Sequence, residues 1–202
     1  MLEGMKNNLR IWSLCCCLVF ACLTLGHRST AEDAKSAAGF ESLFNGKDLT
    51  GWCYLPDEKF DGKTAASDGR YSAKDGILTV HPFDEKKGPR FRQIWTTKEF
   101  PKNFELKIEF RADVNADSGI YLRKPQLQCR DYLVAGPYKE LKKYKPQEWN
   151  LIEVTVQDNV AHCTCNGEVL EAALKLPATG PIGLEADRGT MEYRNILLRE
   201  LP

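Results

Sequence analysis

The side chains best suited to chemistry in this 202-residue chain are carboxylates, amides and a guanidinium on strand-like segments. Glu105, Glu109, Arg123, Gln126, Gln128, Asp131, Glu185 and Asp187 read as the wet-face residues of those segments. A carboxylate takes or gives a proton near neutral pH, and Gln or Arg donors hold an oxygen that gains charge. The set suits acid–base work on a small molecule. For Glu105 and Glu109 a plainer reading competes, since Lys107 and Arg111 share their face and cross-strand ion pairs would account for all four. Arg123 can equally be a solvated arginine at a strand end. Trp52, Trp95 and Trp149 offer flat apolar faces on which a sugar ring could stack, although Trp52 and Trp149 also fit a core. His81 and His162 lack the partner spacing of a metal site, and no cysteine pair has zinc spacing. Neither a metal nor a cofactor is expected.

Strands must position these groups. Phe104, Leu106, Ile108 and Phe110 alternate with Glu105, Lys107, Glu109 and Arg111, and Ile152, Val154 and Val156 alternate with Glu153, Thr155 and Gln157. Both runs predict half-buried strands with one wet face. Further strands are expected at 77–80, 93–96, 119–123, 161–165, 182–185 and 193–199. Asn45-Gly46, Asp75-Gly76, Asp158-Asn159 and Asn166-Gly167 punctuate them, and Asn166-Gly167 between two strand-like runs predicts a hairpin. Residues 138–147 hint at one helical turn, which Pro146 would stop. Many short strands between frequent turns predict an all-β sandwich or jelly roll.

The N-terminus is a separate matter. Lys6 and Arg10 precede an almost wholly apolar run at residues 11–26, and Ser29-Thr30-Ala31 offers a small-x-small cleavage site before Glu32. That is the layout of a signal peptide spanning residues 1–31, and the run is short for a membrane span of about 20 residues. An uncleaved anchor and a lipid-anchored form, suggested by Val19-Phe20-Ala21-Cys22, are the alternatives. The expectation is export to the periplasm or beyond, with no stable membrane span in the mature form. Residues 32–39 read as a short flexible leader and 40–202 as one domain. Lys+Arg and Asp+Glu balance at 28 each. Cleavage would remove Lys6, Arg10, Arg28 and Glu3, leaving a slightly acidic domain. No global field then favours nucleic acid as a partner. Four cysteines remain, Cys53, Cys129, Cys163 and Cys165. An oxidising compartment permits disulfides, buried free thiols are the other reading, and the i, i+2 spacing of Cys163 and Cys165 argues against their pairing with each other.

Several stretches then match a known family in order. Leu43-Phe44-Asn45-Gly46-Lys47-Asp48-Leu49-Thr50-Gly51-Trp52 resembles the opening signature of the 3-keto-disaccharide hydrolase family. Asp117-Ser118-Gly119-Ile120-Tyr121-Leu122-Arg123 is similar to its N-S-G-I-[FY]-L-R segment. Glu148-Trp149-Asn150 with Asn166-Gly167, and Gly180-Pro181-Ile182-Gly183-Leu184-Glu185 with Tyr193-Arg194-Asn195-Ile196, resemble its later motifs. The matches span nearly all of residues 40–201.

The resemblance implies a concanavalin-like jelly-roll β-sandwich that cleaves glycosides already oxidised at C3, by hydrolysis or by elimination and hydration. A ketone at C3 acidifies the C2 hydrogen, so a base, an acid and donors for an enolate oxygen are needed. Glu185 and Asp131 are the expected catalytic pair, with Arg123, Gln126, Gln128 and Asp187 binding a sugar or oligosaccharide. Two departures matter. Relatives commonly carry E-x-Q-x-x-D where this chain has Gln126-Leu127-Gln128-Cys129-Arg130-Asp131, and many have Gln and His where it has Glu185-Ala186-Asp187-Arg188. An amide cannot be a base. Either the acid–base work has moved to Glu185 or Asp187, or the chain binds sugar without cleaving it. A structural envelope protein is the third reading.

Overall fold

The structure is a computed structural model and describes residues 39–84, 86, 91–134 and 136–202. The expected signal peptide, its cleavage site and nearly all of the 32–39 leader lie outside the described residues. No helix among the described residues is long and apolar enough to cross a membrane.

Fourteen strands follow one another among the described residues: β1 (Glu41–Ser42), β2 (Trp52–Tyr54), β3 (Glu58–Lys59), β4 (Tyr71–Lys74), β5 (Ile77–Val80), β6 (Arg92–Thr96), β7 (Phe104–Ala112), β8 (Asp117–Leu122), β9 (Gln126–Arg130), β10 (Asn150–Gln157), β11 (Val160–Cys165), β12 (Glu168–Lys175), β13 (Ile182–Ala186) and β14 (Met191–Glu200). They form two antiparallel sheets. One has the order β12-β11-β10-β7-β14-β5-β4, with β1 also pairing β14; the other has the order β3-β2-β6-β13-β8-β9. The expected all-β jelly-roll sandwich is what the chain adopts.

Alternation sets the register. In β7 every second residue from Phe104 to Ala112 is buried and the intervening ones are not. Ile152 of β10 faces Ile108 and Val154 faces Leu106, so both strands press one apolar face inward. Ile94, Ile120, Leu127, Ile182 and Leu184 of the six-stranded sheet meet them with no exposure. Each such side chain contributes about 1.5–3 kcal/mol relative to an exposed position. Asn166 and Gly167 both adopt positive φ, 48° and 79°, as a two-residue primed turn requires, and join β11 to β12 in the expected hairpin. Residues 138–147 form turns with no helix. Cys53, Cys129, Cys163 and Cys165 are buried free thiols, which settles the open cysteine reading.

Two tyrosines rooted in the eight-stranded sheet tie it to the other. Tyr71 of β4 donates to the carbonyls of Leu184 (2.7 Å) and Arg92 (2.8 Å). Tyr193 of β14 lies 2.8 Å from the Ser118 hydroxyl, which itself donates to the carbonyl of Glu185 at 2.6 Å. Burial raises the pKa of both phenols well above their usual value, so they stay neutral. The backbone of β13 around Glu185 is thus fixed from beneath.

Candidate functional site

The outer face of the six-stranded sheet collects Gln126, Gln128 and Glu185, with Asp187 just beyond β13. Glu185 points outward between Leu184 and Ala186, which are fully buried. Its carboxylate accepts from the Tyr121 hydroxyl (3.0 Å) and Gln93 Nε2 (3.3 Å) at Oε1, and from Gln126 Nε2 (2.5 Å) at Oε2. Burial first, and the Glu185 charge second, push the Tyr121 phenol up to about 12, so near neutrality it is a donor.

Two glycines make this packing possible. Gly119 of β8 lies between Glu185 of β13 and the side chain of Gln126 on β9. A Cβ there would stand 2.0 Å from Gln126 Nε2, so only glycine lets the amide lie across β8. Gly183 plays the same part for Trp95, whose ring would be 2.7 Å from an added Cβ. Trp95 and Tyr121 then form an aromatic wall, with ring centroids 5.2 Å apart and planes inclined by 53°.

A second carboxylate sits beside the first. Asp117 of β8 accepts from Gln128 Nε2 at 2.7 Å and pairs with Arg130 (3.2 Å) and Arg188 (3.6 Å). Its side chain is 14 % exposed. Burial is the main influence and raises its pKa; Arg130 lowers it, Asp187 raises it and Arg188 lowers it. Gln126 and Gln128, two residues apart on β9, thus each deliver an amide to one carboxylate.

Glu185, Gln126, Gln128 and Asp187 therefore lie in one region. Arg123 and Asp131 do not. The backbone at Arg123 turns left-handed (φ 64°), which ends the alternation of β8. The guanidinium is buried against the Phe104 ring and donates to Asn159 Oδ1 and to the carbonyls of Pro177 and Lys102. Asp131 keeps the phase of Leu127 and Cys129, which is the core phase. It is buried, accepts from the Asn115 N–H (3.1 Å) and the Tyr144 hydroxyl (3.4 Å), and holds loops together. Glu105 and Glu109 lie on the outer face of the opposite sheet, paired with Arg199 and Arg194. Trp52 is core, and Trp149 is covered by the guanidiniums of Arg194 (4.0 Å) and Arg111 (4.8 Å). Among the described residues no group of three or more His, Cys, Asp or Glu side chains could hold a metal ion.

Gln93, Tyr121 and Asp117 were not among the residues expected from the sequence. Period two was their signal: Asp117, Gly119 and Tyr121 share one face of β8, and Gln93 and Trp95 share one face of β6.

A family model described as a 3-keto-alpha-glucoside-1,2-lyase-like domain matches residues 39–199. The chain belongs to this family. The family match and the earlier motif resemblance cover the same span, and the carboxylates, amides and aromatic wall described above all lie inside it. Two solved structures share the fold, both described as a "putative glycosyl hydrolase" from Parabacteroides distasonis. The first is 19 % identical, with a TM-score of 0.63 over 85 % of this chain and 96 % of the other. The second is 21 % identical, with a TM-score of 0.52 over 74 % and 99 %. None of the curated proteins compared with the chain matches it.

Proposed function

We propose that the chain is an exported carbohydrate-active enzyme that cleaves 3-keto-glycosides by elimination and hydration, with Glu185 as the base. The observation that carries this reading is the Glu185 carboxylate, held by three donors on the outer face beside the Trp95–Tyr121 wall. In that reading a sugar ring stacks on the wall, and Glu185 removes the C2 proton that the neighbouring ketone acidifies. Tyr121, Gln93 and Gln126 are the donors that orient the carboxylate. Many relatives carry a carboxylate on β9 and an amide on β13, whereas here Gln126 and Glu185 stand in the reverse arrangement and still touch. The proton-accepting group has moved to the neighbouring side of the same contact.

The direct test is incubation of the purified domain with a 3-keto-glucoside while aglycone release is followed. Glu185→Gln should abolish release and leave binding nearly intact, because the amide keeps the shape but exchanges no proton near neutrality. Binding without turnover by the wild-type protein would favour the second reading, a non-catalytic sugar-binding domain, which the amide at Gln126 supports. Export is checked by sequencing the mature N-terminus, expected near Glu32 in a periplasmic or extracellular fraction.

A further inference from the structure

The geometry points to Asp117 as a second catalytic residue, the acid that protonates the leaving oxygen as the C1–O bond breaks. This assignment rests on the reading of Glu185 as the base.

β8 sets the spacing. Gly183 pairs with Tyr121 and Leu184 with Ile120, while Asp117 bridges Arg188 one residue out of that register, so the chain gains a residue there. Asp117 and Tyr121, the donor to Glu185, lie on the same face of β8 with Gly119 midway between them. Gly119 between them carries no side chain, so what lies there is the Gln126 amide over bare backbone. A base and an acid working on adjacent atoms of one sugar ring need this kind of interval, with neither carboxylate touching the other.

The surroundings of the two carboxylates differ. Glu185 meets only neutral donors: Tyr121, Gln93 and Gln126. Asp117 faces Gln128 and Arg130 from β9, and Arg188 and Asp187 from the segment after β13, with Glu185 the nearest charged group on β13 itself. Burial outweighs the two arginines, and its carboxyl holds its proton to higher pH than an ordinary aspartate. Pairs of carboxylates in unlike environments are how acid and base roles are divided in one site.

The atoms balance without any further reactant. Glu185 takes the C2 proton, and that electron pair passes through the enolate to form a C1=C2 double bond. The C1–O bond breaks, and the departing oxygen takes the Asp117 proton. Water then adds across the double bond, its oxygen to C1 with a proton passing to Asp117, while Glu185 returns its proton to C2.

A structural role for Asp117, closing the ends of β8, β9 and β13 through its arginines, predicts something different, and leaving-group chemistry separates the two. A 4-nitrophenyl aglycone departs without protonation; a methyl aglycone does not. Asp117→Asn should lower kcat/KM for methyl 3-keto-glucoside by about 100-fold or more, within the range of general acid catalysis, and leave the 4-nitrophenyl substrate nearly unchanged. The ratio of the two losses does not depend on the folded fraction. Equal loss on both substrates overturns the assignment. The wild-type protein gives an independent readout: with the methyl substrate the rate should fall as pH rises through the Asp117 pKa, and with the nitrophenyl substrate it should not. Identical alkaline limbs also overturn it. If neither substrate is cleaved by the wild-type protein, the reading of the site as catalytic falls first, and this assignment with it.

Discussion

Gln126 and Glu185, on strands that are not neighbours, are joined by a hydrogen bond that crosses Gly119. β8 separates the two strands, and the contact exists because that position carries no side chain. Three elements therefore have to agree for this one contact to form.

Gly119→Ala tests this directly. The new Cβ would meet the Gln126 side chain along its length, 2.0 Å from Nε2 and 2.5 Å from Cγ, so Gln126 has to move aside. The melting temperature should change little, while turnover of a 3-keto-glucoside should drop severalfold as Glu185 loses a donor. Unchanged kinetics would show that the Gln126 contact does not matter.

Gln126→Glu would place a second carboxylate against the first. Two acids at hydrogen-bond distance cannot both ionise freely, so the single variant should be slower at neutral pH, with its acid limb displaced to higher pH. The double variant Gln126→Glu/Glu185→Gln keeps one acid and one amide in the opposite order. It should recover much of the activity lost by Glu185→Gln alone. A double variant as inactive as the single one would mean that the β13 position itself is essential. pH–rate profiles of all four proteins decide it.

Arg123 is predicted to matter for stability and not for sugar binding. Its guanidinium gathers three acceptors from Asn159, Pro177 and Lys102 into one buried cluster. Arg123→Met should cost about 3 kcal/mol, since hydrogen bonds from a buried charged donor are worth about 1.5–3 kcal/mol each and the acceptors are left unpaired. That corresponds to a fall of about 10 °C in Tm for a domain of this size. KM for a 3-keto-glucoside should be unchanged in the folded fraction. A raised KM with unaltered melting would return Arg123 to the sugar site.

The thiols should be silent. Burial pushes Cys163 and Cys165 up to about 12 and Cys129 well above its usual value, so almost no reactive thiolate is present near neutrality. Ellman's reagent should leave Cys53, Cys129, Cys163 and Cys165 unmodified in the native domain and react with all four after unfolding. Reduced and non-reduced samples should run alike. Rapid labelling of native protein would contradict the burial.

Strict alternation made β7 and β10 legible in the sequence, and shorter apolar runs showed most of β13 and β14, with the outward aim of Glu185. β12 was not legible, because register shifts against β11 between Ala161 and Thr164 break its period and leave an irregular burial pattern. Short strands such as β1 and β3, of two residues each, carry too few side chains to show any period. Arg123 was misplaced because a single left-handed residue reverses the direction of its side chain. Asp131 was misplaced for a simpler reason: counted from Gln126, it falls on the buried phase. Asp117 and Tyr121 were readable from the same count, but a motif read as a string conceals which of its letters share a face.

Among the described residues, the outer face of the eight-stranded sheet carries four couples of opposite charge: Arg111–Glu192, Arg194–Glu109, Arg199–Glu105 and Lys107–Glu153. Each couple is closed within a few ångströms, so beyond about one Debye length, near 8 Å in physiological salt, their fields cancel. The paired part of this surface is therefore electrically quiet. A polymer of either sign gains little by settling there, and the four couples are internally neutral at neutral pH. This side should therefore behave as a non-stick back, and weak adhesion to anionic polysaccharide should be nearly insensitive to ionic strength.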